Sequence, residues 1–173
     1  MSTDQTAALN PGSGPRRPNT RFLLSHPAHL FSLGFGTGLS SLAPGTVGTL
    51  FGWASYLVLN LYLTVTGWVT LIALAVIGGV WICGFTARKL GLQDPSAVVW
   101  DEIVAFWIVL LLITPTSFVG QLIAFVLFRF FDAVKPPPIR YFDRTVKGGL
   151  GIMLDDLVAA FCTLLVIALW RSL

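Results

Sequence analysis

WVTLIALAVIGGVWICGFTA, residues 68–87, carries no charged side chain and is followed at once by Arg88 and Lys89. A helical run of about 20 residues, rising about 1.5 Å per residue, matches the roughly 30 Å hydrocarbon core of a bilayer. Comparable runs lie at 47–66, 97–113, 117–134 and 154–170. Their recurrence fits a composition that is 55% hydrophobic and 11% charged, with a mean hydropathy of +0.80. A soluble core has no use for so much apolar sequence. The chain is therefore expected to be all-α, a polytopic helical membrane protein with about five membrane-embedded helices. Residues 22–43 are also apolar, but Gly34, Gly36 and Gly38 interrupt them. That disfavours one continuous span and leaves the segment lying at the interface or re-entering the bilayer. Residues 1–20, rich in Pro, Gly, Ser and Thr, lack the apolar stretch of a signal peptide. They are expected to form a flexible tail on a single helical domain of residues 21–173.

The cations set the orientation. Arg16, Arg17 and Arg21 precede the first run, Arg88 and Lys89 follow the second, and Lys135, Arg140, Arg144 and Lys147 separate the fourth from the fifth. Alternating spans bring these groups to one face, which the positive-inside bias makes cytoplasmic. Trp68 and Trp170 then fall at the outer interface, where an aromatic belt is expected. The net charge of +3 does not indicate a nucleic-acid partner, because the cations are interleaved with acids and flanked by apolar runs. Anionic lipid is the expected partner. Cys83 and Cys162 sit in apolar sequence without metal-ligand spacing and read as packing residues.

Apart from Asp4, the acids are Asp94, Asp101, Glu102, Asp132, Asp143, Asp155 and Asp156, all in the expected cytoplasmic loops or adjoining helix ends. The positive-inside bias concerns Lys and Arg, so it does not account for this gathering; convergence on a site would. Several acids also have a structural alternative. Asp94-Pro95 has the form of an N-cap followed by proline at the first helical position. Asp155 and Asp156 open the expected fifth helix, where the macrodipole favours negative charge. Asp143 beside Arg144 suits an exposed ion pair of little energetic weight. Asp101 and Glu102 are different: if the third helix begins near Pro95, they lie almost two turns inside it, beyond the reach of the dipole. Asp132 sits at the C-terminal end of the fourth helix, where the dipole opposes it, with Arg129 and Lys135 on its face as compensation.

Hard carboxylate oxygens without Cys or clustered His favour Mg²⁺, which commonly takes one or two carboxylates, waters and phosphate oxygens. Such an ion could activate water and offset charge on a phosphoryl group while Arg and Lys hold the remaining oxygens. The expected chemistry is phosphomonoester hydrolysis or a related transfer. Ser-His-Asp and Cys-His chemistry has no support, since His26 and His29 precede the runs without an evident Ser or Cys partner. His29 reads first as a structural residue and second as a substrate contact or acid–base helper. Gly34-Phe35-Gly36-Thr37-Gly38 lacks the strand-then-helix setting of a dinucleotide fingerprint, and Lys147-Gly148-Gly149-Leu150-Gly151 is no Walker loop. Both suit packing or turns more readily than an anion cradle. Pro44-Gly45-Thr46 reads as the cap of the first span.

The blocks His29-Leu30 with Gly34-Phe35-Gly36-Thr37-Gly38-Leu39, Pro44-Gly45-Thr46-Val47-Gly48, Val99-Trp100-Asp101-Glu102, Phe128-Arg129 with Asp132, Lys135-Pro136, Pro138-Ile139-Arg140 with Phe142-Asp143-Arg144, and Gly148-Gly149-Leu150-Gly151-Ile152-Met153-Leu154-Asp155-Asp156 occur in that order. From about Arg21 onward the chain thereby resembles the phosphatidylglycerophosphatase A family. The resemblance implies a multi-pass, Mg²⁺-dependent enzyme of the bacterial inner membrane, with its active site at the cytoplasmic face. Its substrate would be phosphatidylglycerophosphate, hydrolysed to phosphatidylglycerol in glycerophospholipid biosynthesis. Carried over position by position, the resemblance implies an acidic centre of Asp101, Glu102, Asp132, Asp155 and Asp156, with Arg129, Lys135, Arg140 and Arg144 as phosphate-side cations. Asp101, Glu102, Asp132 and Asp156 are then the catalytic candidates. Glu102, Asp132, Asp155 and Asp156 are the candidate metal ligands, and Asp101 would orient water or act as a base. The rival expectation is an ion or small-solute transporter, because ionisable residues in membranes often line ion paths. Here no acid occupies the centre of an expected span.

Overall fold

A computed structural model describes residues 18–137 and 145–172, and its regular elements are all helical. They are α1 (Thr20–Leu24), α2 (Pro27–Ser32), a 3₁₀ segment (Gly34–Leu39), α3 (Pro44–Leu59), α4 (Val65–Leu90), α5 (Trp100–Ile113), α6 (Phe118–Val134) and α7 (Gly148–Ser172). The helix starts follow local chemistry. Asn19, Thr64 and Ser117 accept from the backbone amides of Phe22, Gly67 and Gly120, satisfying donors that the first turn leaves open. His26 does the same for Ala28, with Pro27 opening α2, and Pro44 likewise opens α3. Gly91, at φ 71°, ends α4 in the left-handed conformation that glycine adopts without strain.

α4 and α7 are each long and apolar enough to cross a membrane. α5 is shorter, about 21 Å at 1.5 Å per residue, yet it is the hub of the bundle. Ile103, Val104, Ala105, Phe106, Val109 and Leu110 are all fully buried, because α3, α4, α6 and α7 pack around it. Small residues permit the closest approaches. A Cβ on Gly52 would stand 3.1 Å from the Ile103 Cα, so α3 lies almost backbone to backbone on α5. Gly149 of α7 meets the Val80 carbonyl of α4 in the same way. Buried indoles fix the register: Trp107 Nε1 donates to the Gly52 carbonyl at 3.0 Å, and Trp53 Nε1 donates to Gln121 Oε1 at 2.7 Å. The alternation of long helices brings the starts of α3 and α5, the end of α6 and the first turns of α7 to one end, where Gly45, Glu102, Arg129 and Asp156 meet.

The outward faces are apolar. α4 exposes Val69, Leu74, Ile77 and Trp81, and α6 exposes Phe118, Val119, Ile123 and Val126. Water tolerates such patches poorly.

Several expectations are corrected. The first long helix starts at Pro44 rather than 47 and stops at Leu59, where Asn60 caps it before a turn. The third starts at Trp100, not near Pro95. The Val98 amide donates to the Pro95 carbonyl at 2.8 Å and the Val99 amide to Ser32 at 3.0 Å, so a turn docked on α2 occupies those residues. Asp94 therefore caps no helix. The last long helix starts at Gly148, six residues before the expected 154, which leaves Asp155 and Asp156 about two turns inside it. Trp68 is no interface residue: it is buried, stacked on Tyr56 at 4.7 Å, and donates to Asn60 Oδ1 at 3.1 Å. As the interrupting glycines led one to expect, residues 22–43 form short helices and a 3₁₀ segment rather than one span, and Gly38 presses on the Ala97 carbonyl. Cys83 is buried, Cys162 half-buried, and both are free thiols. Most of the expected tail, residues 1–17, lies outside the described residues; Asn19 and Thr20 already belong to α1 and its cap.

Candidate active site

Asp101 and Glu102 occupy the first turn of α5, and Asp156 enters from α7. Each offers a carboxylate oxygen within 4.8 Å of the others. Asp101, Glu102 and Asp156 retain 7%, 9% and 2% of their surface, and Asp101 Oδ1, Glu102 Oε2 and Asp156 Oδ2 have no hydrogen-bond partner. Unpaired buried carboxylates are costly, by several kcal/mol each when ionised. The positive end of α5 offsets part of that cost, which is the reverse of the expected placement beyond the dipole. The donor set itself, hard oxygen throughout, fits a divalent cation of the Mg²⁺ type and not a thiolate- or imidazole-seeking metal.

Arg129 and Asp132 come from the last two turns of α6. Arg129 Nη1 stands 2.5 Å from Asp132 Oδ2, 3.8 Å from Glu102 Oε1 and 3.4 Å from Thr49 Oγ1. Asp132 in turn faces Asp156. The expected compensation at the end of α6 is thus supplied by Arg129. Lys135 behaves differently. It caps α6 at φ 45°, which ends the helical register, and its ammonium pairs with Asp155 and lies 4.0 Å from Asp94. Asp155 accordingly turns toward Lys135 while Asp156 joins Asp101 and Glu102. Arg140, Arg144 and Asp143 lie outside the described residues.

Gly45, which the sequence offers as a cap alone, adjoins the acidic centre. A Cβ there would collide with Glu102 Oε1 and come within 3.0 Å of Arg129 Nη2. Its lack of a side chain lets the start of α3 close over that pair, and nothing in the local sequence distinguishes this from turn chemistry. His29 is enclosed elsewhere. Its Nδ1 lies 2.9 Å from Thr86 Oγ1, and its ring stacks on Phe22 at 4.1 Å and Phe85 at 5.4 Å. Burial, with His26 and Lys89 nearby, pushes its pKa down and favours the neutral ring.

Buried carboxylates stand here beside an arginine at one end of an apolar helical bundle, a donor set that fits a divalent cation next to a group suited to phosphoryl oxygens. The chain belongs to the phosphatidylglycerophosphatase A family, whose model matches residues 30–171. Among its relatives, the phosphatidylglycerophosphatase A of Haemophilus influenzae is 42% identical over 150 residues, covering 87% of this chain and 92% of its own. That of Escherichia coli K12 is 40% identical over 140 residues, or 81% of each chain. A Bacteroides thetaiotaomicron protein provisionally named a phosphatidylinositol-3-phosphatase is 38% identical over 148 residues, 82% of this chain and 92% of its own. No solved structure matches the chain significantly. The protein is therefore a phosphatase, and nothing in these relatives favours a transporter.

Proposed function

We propose that this chain hydrolyses the phosphomonoester of phosphatidylglycerophosphate to phosphatidylglycerol and inorganic phosphate, using Mg²⁺ held by Asp101, Glu102 and Asp156. The observation that carries the metal assignment is the convergence of three buried carboxylates, each offering an oxygen within 4.8 Å of the others and each with an oxygen that has no hydrogen-bond partner. The substrate follows from the names of the Haemophilus and Escherichia relatives. Bound there, Mg²⁺ supplies Lewis acidity toward phosphoryl oxygens and the attacking water.

The chain's own residues do the rest. Arg129 presents its guanidinium to phosphoryl oxygens, where planar donors suit the geometry. Asp132 holds Arg129 in place and, facing Asp156, completes the acidic centre. Asp101 orients water or takes its proton, and Lys135, steadied by Asp155, adds positive charge next to the centre. Arg140 and Arg144 are assigned to the phosphate side by the family resemblance. The apolar outward faces of α4 and α6 support a multi-pass placement in the bacterial inner membrane. The Lys and Arg distribution supports a site on the cytoplasmic side.

The test is release of inorganic phosphate from phosphatidylglycerophosphate in mixed micelles. Release should require Mg²⁺, fall at least about 100-fold in chelator and return when Mg²⁺ is restored. Undiminished release in excess chelator would sink the metal assignment.

A further inference from the structure

Arg129 has three partners, and one of them carries no charge. Its Nη1 faces Asp132 Oδ2 and Glu102 Oε1 and stands 3.4 Å from Thr49 Oγ1, whereas its Nε is buried without a partner. The guanidinium is therefore oriented from its Nη end. Thr49 is fully buried on α3, one turn beyond Gly45, and its hydroxyl donates to the Gly45 carbonyl at 2.8 Å. That back-bond is ordinary for a threonine enclosed in a helix: Thr163 makes the same bond to the Ala159 carbonyl at 2.8 Å. Thr49 differs in what its oxygen does next. With its one proton committed to Gly45, only its lone pairs are left to face Arg129. On the same face of α3, a Cβ at Gly45 would come within 3.0 Å of Nη2. α3 thus offers the guanidinium a bare backbone and, one turn on, an acceptor.

We infer that Thr49 is a positioning residue for Arg129, its hydroxyl oxygen accepting from Nη1 so that the guanidinium is held for the phosphoryl group and not drawn wholly onto Asp132. The inference rests on the phosphatase function proposed above. Full burial keeps Thr49 itself off the substrate, so its effect on turnover passes through Arg129. The neutrality of the acceptor suits that role. Another carboxylate there would cancel more of the positive charge that phosphoryl oxygens need, and an apolar side chain would leave Nη1 without this acceptor.

The experiment measures kcat and KM for phosphatidylglycerophosphate in mixed micelles with Mg²⁺, with thermal unfolding recorded for each variant. Thr49→Val keeps the shape and removes the acceptor. It should lower kcat about tenfold, the low end for a hydrogen bond to a charged group because 3.4 Å is long, and leave KM within about twofold. Thr49→Ala should lose as much, so a poorly packed valine does not decide the result. Thr49→Ser restores the acceptor and should bring kcat back to within about twofold of the unaltered chain. In an Arg129→Lys background, where Nη1 is absent, Thr49→Val should cost no more than about a further twofold, because both changes act on one interaction. Unchanged kcat in Thr49→Val, a Thr49→Ser no better than Thr49→Val, or losses that multiply in the double variant overturn the inference while leaving the phosphatase assignment standing. No phosphate released by the unaltered chain overturns both.

Discussion

Arg129 is the residue on which the electrostatics of the site turn, since it faces Asp132 at 2.5 Å and Glu102 at 3.8 Å with a side chain only 19% exposed. Removing one partner of such a buried set costs about 3–5 kcal/mol, because the charges left behind lose compensation. Arg129→Gln should therefore lower the thermal unfolding temperature and reduce phosphate release by about 100-fold or more. Arg129→Lys should recover much of the stability but not full turnover, because an ammonium cannot reproduce the guanidinium fork. Normal turnover in Arg129→Gln would remove Arg129 from the site. The charges themselves were legible in the sequence: acids and an arginine stand out in an apolar chain. Their pairing was not. Three-residue spacing gave Arg129 and Lys135 the same face as Asp132, but that holds only while the helix continues. The left-handed turn at Lys135, a conformation usually left to Gly or Asn, sends its ammonium to Asp155 instead.

At the scale of elements, the site depends on how closely helix starts can approach one another. Gly45 opens α3 directly against Glu102 and Arg129. Gly45→Ala should leave α3 intact, because alanine is the better helix former, yet displace the pair it meets. Displacements near 1 Å in a catalytic arrangement cost about 100-fold. A drop of that order in kcat, with an unfolding temperature that does not fall by more than a few degrees, is the expected outcome; unchanged kcat would show that the pair tolerates the methyl. Apolar runs foretold the long helices well, because burial of a continuous stripe or a whole surface leaves a sequence imprint. Their starts were less legible. Asp94-Pro95 carries the chemistry of a helix start, yet tertiary contact with Ser32 claims the following backbone and postpones α5 to Trp100. Conversely, α7 reaches back to Gly148 through a glycine-rich stretch that propensity alone assigns to a turn. These two shifts exchange the expected positions of the acids: Asp101 and Glu102 gain the helix dipole, and Asp155 and Asp156 move into the helix body.

For the whole molecule, an apolar bundle wraps a short buried hub, and among the described residues the acids gather at one end. That design was legible because charge is scarce in the chain and falls between apolar runs. The division of labour at the charged end was not, because Asp155 and Asp156 are indistinguishable until α7 is placed between Lys135 on one side and Asp101 on the other. The central claim is that the unpartnered oxygens of Asp101, Glu102 and Asp156 form a divalent-cation site. Its most direct test is calorimetric titration of the purified chain with Mg²⁺ in the absence of substrate, alongside Asp156→Asn. Saturable binding that weakens at least about tenfold in Asp156→Asn is the predicted result, in line with the loss of one carboxylate ligand. No saturable binding to the unaltered chain, or equal affinity in Asp156→Asn, would contradict it.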